Sequence, residues 1–164
     1  MDGGPARDRS VEIDTVARRW REDDVEQRML AALSAAIGTE LAPVTLIVDG
    51  TTRFEVEGAD SEGTVLCQLV ANQGAFTSAH RNRVSANLFK LAWLTASVRP
   101  GARAVLCITG TAAQAFTATG WTTLAARDLG IELYLVEDDR ARPLFAAEFT
   151  EAKHRRTTGE TRSP

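Results

Sequence analysis

The run Val65-Leu66-Cys67-Gln68-Leu69-Val70-Ala71 is apolar at every position but one. An extended chain presents alternate side chains to opposite faces, so a strand of this composition has both faces covered. Such a strand belongs at the centre of a sheet packed between helices, which points to an α/β fold. The exception, Gln68, then sits mid-strand in apolar surroundings. A buried amide without partners is costly, so the sequence demands a hydrogen-bond partner for it.

Periodicity elsewhere sets out the order of elements. From Val11 to about Arg21, Ile13, Val16, Ala17 and Trp20 follow helical spacing. Asp24 with Gln27 forms a capping-box signature for a second helical stretch, which buries Val25, Met29, Leu33 and Ile37 and stops at Gly38. The two stretches fit one kinked helix as well as two. Val44 to Val48 reads as a strand ending at the hairpin signal Asp49-Gly50. Arg53 to Glu57 alternates, with Phe54 and Val56 on one face and Glu55 and Glu57 on the other. Asp60-Ser61-Glu62-Gly63 is turn-like. Beyond the central strand, a helix is expected from about Ala79 to Ser97, ended by Arg99-Pro100-Gly101. Ala104 to Thr109 is a buried strand, Ala112 to about Asp128 a helical segment broken or bent near Gly120-Trp121, and Ile131 to Val136 a further strand. Residues 140–149 read either as an edge strand or as a short helix.

The expected order is therefore α-β-β-β-α-β-α-β, an antiparallel meander followed by right-handed crossover units, giving a mixed central sheet flanked by helices. Its 164 residues, 44% hydrophobic, suit one domain with a full core. Residues 1–10 read as a disordered N-terminus, 11–149 as the single α/β domain, and 150–164 as a flexible basic and polar tail carrying Lys153-His154-Arg155-Arg156.

Charge narrows the function classes. The net charge of −3 gives no global attraction to phosphate, so contact with nucleic acid requires a local basic patch. No apolar stretch approaches the roughly 20 residues of a membrane span, and Met1-Asp2-Gly3-Gly4-Pro5 has no signal pattern, so a cytoplasmic protein without a membrane partner is expected. Cys67 and Cys107 lie in apolar runs and read as small core residues rather than a disulfide or half of a metal site. Thr109-Gly110-Thr111 lacks the glycines and lysine of a phosphate loop, and Ser78 and His80 lack a nucleophile-elbow context.

The chemistry-bearing candidates gather around the central strand. His80, Arg83, Asn87 and Lys90 are spaced by three, four and three residues, placing them on one helical stripe. Two cations flanking an amide suit a phosphate or carboxylate, although such stripes are commonly only solvated. His80 is open to a general-base role or a capping one. Glu57 and Asp60 bracket a glycine and could supply oxygens to a hard cation, with turn solvation as the plainer reading. Glu26, at the border of its helix's buried face, could reach the same region. Gln68 either ties down a loop or lines a pocket with Glu55 or Glu57.

Three segments, Arg53-Phe-Glu-Val-Glu-Gly-Ala-Asp60, Leu66-Cys-Gln-Leu-Val-Ala-Asn-Gln-Gly74 and His80-Arg-Asn-Arg-Val-Ser-Ala-Asn-Leu-Phe-Lys-Leu91, occur in the order αβββαβ. The layout, over roughly residues 24–136, resembles the restriction-endonuclease-like, or PD-(D/E)XK, superfamily and its small actinobacterial-type members. The resemblance implies a metal-dependent nuclease that holds Mg²⁺ on an acidic residue of the second strand and another of the third, with a lysine positioning the attacking water. Glu57 or Asp60 would take the first acidic role, Gln68 the second, Lys90 (less well Arg83) that of the lysine, and Glu26 an acid supplied by the first helix. His80, Arg83 and Asn87 would bind substrate.

Gln68 and Asn87 keep size and hydrogen bonding without charge, and Val70 falls where the superfamily's lysine would stand. A site stripped of carboxylates loses affinity for Mg²⁺ and the Lewis acidity it supplies. Two readings follow. One is a nuclease-like protein that binds nucleic acid, with phosphodiester hydrolysis weakened or lost. The other is a non-catalytic interaction module in a bacterial assembly, with another protein or a second copy of the chain as partner.

Overall fold

In the computed structural model, residues 9–15 and 24–145 are described, and they build an α/β fold around a seven-stranded mixed sheet. The strands are β1 (Val11–Thr15), β2 (Ala42–Val48), β3 (Thr52–Ala59), β4 (Val65–Val70), β5 (Arg103–Thr109), β6 (Ile131–Glu137) and β7 (Arg140–Pro143). They lie side by side in chain order. β1 through β4 are antiparallel, β4, β5 and β6 run parallel, and β7 returns antiparallel at the edge. The helices are α1 (Val25–Ile37), α2 (Ser78–Trp93) and α3 (Trp121–Asp128).

β4 is buried at all six positions, as its double apolar face requires. Val65, Cys67 and Leu69 pack with Met29, Leu30, Ala32 and Leu33 of α1, whereas Leu66 and Val70 pack with Val84, Leu88 and Leu91 of α2. Ala126 of α3 joins the α2 layer. Alternation therefore turns Gln68 toward α2. Asp24 caps α1 as expected, though through the Glu26 N–H and without a capping box to Gln27, and Gly38 ends the helix in the left-handed region. The β2–β3 hairpin turns through Asp49 and Gly50, both with positive φ.

One expectation is corrected, and two open readings are decided. The segment expected to start a helix at Val11 is strand β1 instead, paired with β2 from Val11↔Val48 to Thr15↔Val44. Val11, Ile13 and Thr15 are β-branched and alternate with acids, so the period of two governs. Val16, Ala17 and Trp20 lie outside the described residues, as do residues 1–8 and the tail. Of the two readings of the helical segment over Ala112–Asp128, the broken one holds, with a 3₁₀ stretch Gly110–Ala115 and then α3 from Trp121. Thr122 and Thr123 donate their hydroxyls to the Ala115 and Thr117 carbonyls, holding the chain out of a continuous helix. Of the two readings of residues 140–149, the edge strand holds for Arg140–Pro143, which form β7, and residues 146–149 lie outside the described residues. α2 runs on through a widened π-type turn, Leu94–Val98, where the Thr95 hydroxyl bonds back to the Leu91 carbonyl.

The β3–β4 turn carries a first prediction. Gly63 has φ +66°, and a Cβ there would stand 2.7 Å from Ile13 Cδ1 and 3.2 Å from an Arg99 guanidinium nitrogen. Gly63→Ala is expected to lower unfolding free energy by about 1–2 kcal/mol, read as a fall in the urea midpoint. An unchanged midpoint would show that the turn relaxes without cost.

Candidate functional site

Pro43 in β2 has no N–H to give the ladder, and β3 bulges opposite it. The register passes from Ala42↔Ala59 to Val44↔Val56, so Glu57 and Gly58 together face Pro43. The bulge lets Gly58 lie against Leu30 of α1, where a Cβ would come within 2.5 Å of the Leu30 side chain. It also frees Glu57 from strict alternation.

β3 and β4 pair only at Gly58↔Cys67 and Ala59↔Leu66. Beyond those pairs they part, while β4 stays fully paired with β5. The gap leaves backbone groups on both strands in need of partners. Side chains supply them. Glu57 Oε2 accepts the Leu69 N–H at 2.5 Å, standing where a strand carbonyl would be. From α2, Lys90 Nζ donates to the Glu55 carbonyl oxygen and, at 3.5 Å, to Gln68 Oε1. Arg83, also on α2, reaches Glu26 Oε1 at 3.3 Å and Glu57 Oε1 at 3.9 Å. The gap thus brings together Glu26, Glu57, Gln68, Arg83 and Lys90 from two strands and two helices.

Gln68 is 2% exposed. A lysine ammonium only donates, so the amide oxygen must be the atom facing Lys90. Gln68 Nε2 is left as the one buried side-chain polar atom without a hydrogen-bond partner among the described residues.

Burial is the largest influence on Glu57 and raises its pKa above 4.5. The Leu69 N–H opposes that rise, the Glu26 carboxylate adds to it, and Arg83 and Lys90 pull downward without cancelling it. For Lys90, burial outweighs the attraction of Glu57 and Glu55 and lowers the pKa.

Other candidates stand elsewhere. Asp60 accepts from the Thr64 hydroxyl and from the Val65 N–H at 2.9 Å, bracing the turn at the closed end of the β3–β4 hairpin. Burial tends to raise its pKa, but these hydrogen bonds prevail and lower it. His80 caps α2, its Nδ1 accepting the Thr77 N–H at 3.1 Å while its ring stacks on Phe76. Asn87 is half-buried in α2 and its side chain meets none of the groups in the gap. The Glu55 side chain is exposed, so this residue serves the gap through its backbone. Val70 is wholly buried in the α2-side core.

Buried Asn72, which sequence reasoning passed over, ties the carboxyl ends of β4 and β5 through Thr109 and Thr111. Cys67 faces Val105 and Cys107 faces Leu69, so the two free thiols are out of register, and burial raises both pKa values, that of Cys107 to about 12. Among the described residues, no helix is long and apolar enough to cross a membrane.

The two carboxyls give opposite pH dependences. Glu57, with a raised folded pKa, contributes stability that is full below 4.5 and lost as pH rises through the folded value. Asp60, with a lowered one, contributes stability that is present above 3.8 and lost as pH falls through its folded value. Urea stability is therefore expected to decline from the Glu57 contribution as pH rises from about 4.5 toward neutrality. Glu57→Gln should remove that decline, and an identical slope in the variant would contradict the assignment.

No protein-family model matches the chain, and a search of curated proteins finds no significant match.

Proposed function

We propose that this chain is a nuclease-like protein on a restriction-endonuclease-like core, in which the hydrolytic centre has become a closed polar plug and binding to nucleic acid replaces cleavage. The observation that carries the reading is the meeting of Glu57, Gln68 and Lys90 where β3 leaves β4, between the antiparallel and parallel halves of the sheet. The donor set does not fit Mg²⁺. Glu57 already accepts the Leu69 N–H, and the oxygens of Gln68 and Glu55 are turned onto Lys90. Hard divalent cations are held by several charged oxygens, and here the two carboxylates, Glu26 and Glu57, both face the Arg83 guanidinium, with the Lys90 ammonium also acting on Glu57.

Contact with a phosphate backbone would fall to the exposed start of α2. Arg83 lies there with Arg81, whose guanidinium sits over the Phe76 ring at 5.7 Å. Fluorescence anisotropy with labelled single- and double-stranded DNA and RNA tests this. Binding is expected at low salt, weakening as salt rises and in an Arg81→Ala, Arg83→Ala variant. No binding to any of these probes at low salt would remove the nucleic-acid reading.

A protein partner is the second reading, favoured by exposed aromatic and aliphatic side chains. Phe89 of α2 is 77% exposed and Trp121 of α3 71%, with Leu124 and Leu129 also exposed.

A further inference from the structure

We propose that the ammonium of Lys90 acts as a built-in cation, seated in an oxygen-lined site between β3 and β4 that would otherwise take a cation from solution. The Glu55 carbonyl oxygen and Gln68 Oε1 accept from Nζ, and the Glu57 carboxylate is the strongest charge acting on it. The Phe54 ring closes another side, its centroid 5.8 Å from Nζ. The groups that meet Nζ are thus two uncharged oxygens, a carboxylate charge and an aromatic face.

Two further observations point the same way. The chain has 19 basic residues, of which only Lys90 and Lys153 are lysines. In so arginine-rich a chain, position 90 carries the compact ammonium, which fits a small oxygen cage where a planar guanidinium would not. The Gln68 amide, moreover, leaves its own NH₂ group unpaired in the core. The opposite orientation would set donor against donor, so the cation fixes the amide's direction. The inference rests on these oxygens and holds whether or not the chain contacts nucleic acid.

The test is chemical rescue of Lys90→Ala. Its thermal midpoint is expected to fall by roughly 4–8 °C, the effect of losing charge-assisted hydrogen bonds in a domain of this size. Ammonium chloride should recover part of that loss and tetramethylammonium chloride at equal concentration should not, since only the former carries N–H donors into the cage. Lys90→Met, which fills the space with an apolar stem, should be destabilised and unresponsive to either salt. An equal response to both salts, or none, in folded Lys90→Ala would overturn the proposal. Should Lys90→Ala fail to fold, the natural protein labelled with ¹⁵N-lysine decides. One slowly exchanging ammonium signal, absent from Lys90→Met, is expected, and fast exchange of both lysines would overturn the proposal equally.

Discussion

Glu57→Ala is expected to lower unfolding free energy by about 2–4 kcal/mol in urea denaturation. The carboxylate fills a place that β3 has vacated. Without it the Leu69 N–H, on the side of β4 that has lost its neighbour, has no acceptor, and Arg83 and Lys90 lose the charge between them. A buried donor stripped of its partner costs about 1–3 kcal/mol, and a separated ion pair adds to that. Glu57→Gln should be milder, at about 1 kcal/mol, because an amide oxygen can still accept from Leu69 and no charge is then held against burial. A Glu57→Ala variant within about 0.5 kcal/mol of the natural protein would show that the gap does not depend on the carboxylate.

The second large effect concerns metal affinity and separates two obstacles to it. If the uncharged amide at position 68 were the only obstacle, Gln68→Glu alone would create a divalent site. With Lys90 beside it, the new carboxylate is expected to pair with the ammonium instead, leaving Mn²⁺ affinity weak. The Gln68→Glu, Lys90→Ala double variant both adds a negative oxygen and removes the competing cation. Calorimetric titration is expected to show Mn²⁺ binding tightened by about tenfold or more over either single variant, a gain of at least about 1.4 kcal/mol in binding free energy. Saturating Mn²⁺ should correspondingly raise the double variant's thermal midpoint. Equal affinity in Gln68→Glu and in the double variant would exclude Lys90 as the competitor.

The two-faced apolar pattern of β4 made the layered α/β architecture legible, and Asp49-Gly50, Gly38 and the α2 stripe located the turns and helices around it. β1 was misread because Ile13, Val16, Ala17 and Trp20 match helical spacing, whereas residues 11–15 taken alone alternate with a period of two. The segment from Ala112 to Asp128 breaks where the Thr122 and Thr123 hydroxyls take the Ala115 and Thr117 carbonyls that a continuous helix would use.

At the site, the grouping of Glu57, Gln68, Arg83 and Lys90 was foreseeable from strand order and helical spacing. The way they meet was not. Pairing across a hairpin would have set Glu57 beside Gln68 as neighbouring side chains, but the strands part and Glu57 bonds the Leu69 backbone instead. Pro43 was the available signal, because a proline inside a strand calls for a bulge opposite it. That Lys90 would be spent on a backbone carbonyl depends on how far β3 leaves β4, which no local pattern encodes.

The most direct measurement is cleavage of plasmid DNA, single-stranded DNA and RNA by the natural protein with Mg²⁺ or Mn²⁺, beside the Glu57→Gln variant. A plugged centre predicts no metal-dependent cleavage by either protein. Cleavage by the natural protein that Glu57→Gln abolishes would contradict it, and would make the cluster between β3 and β4 a working nuclease centre.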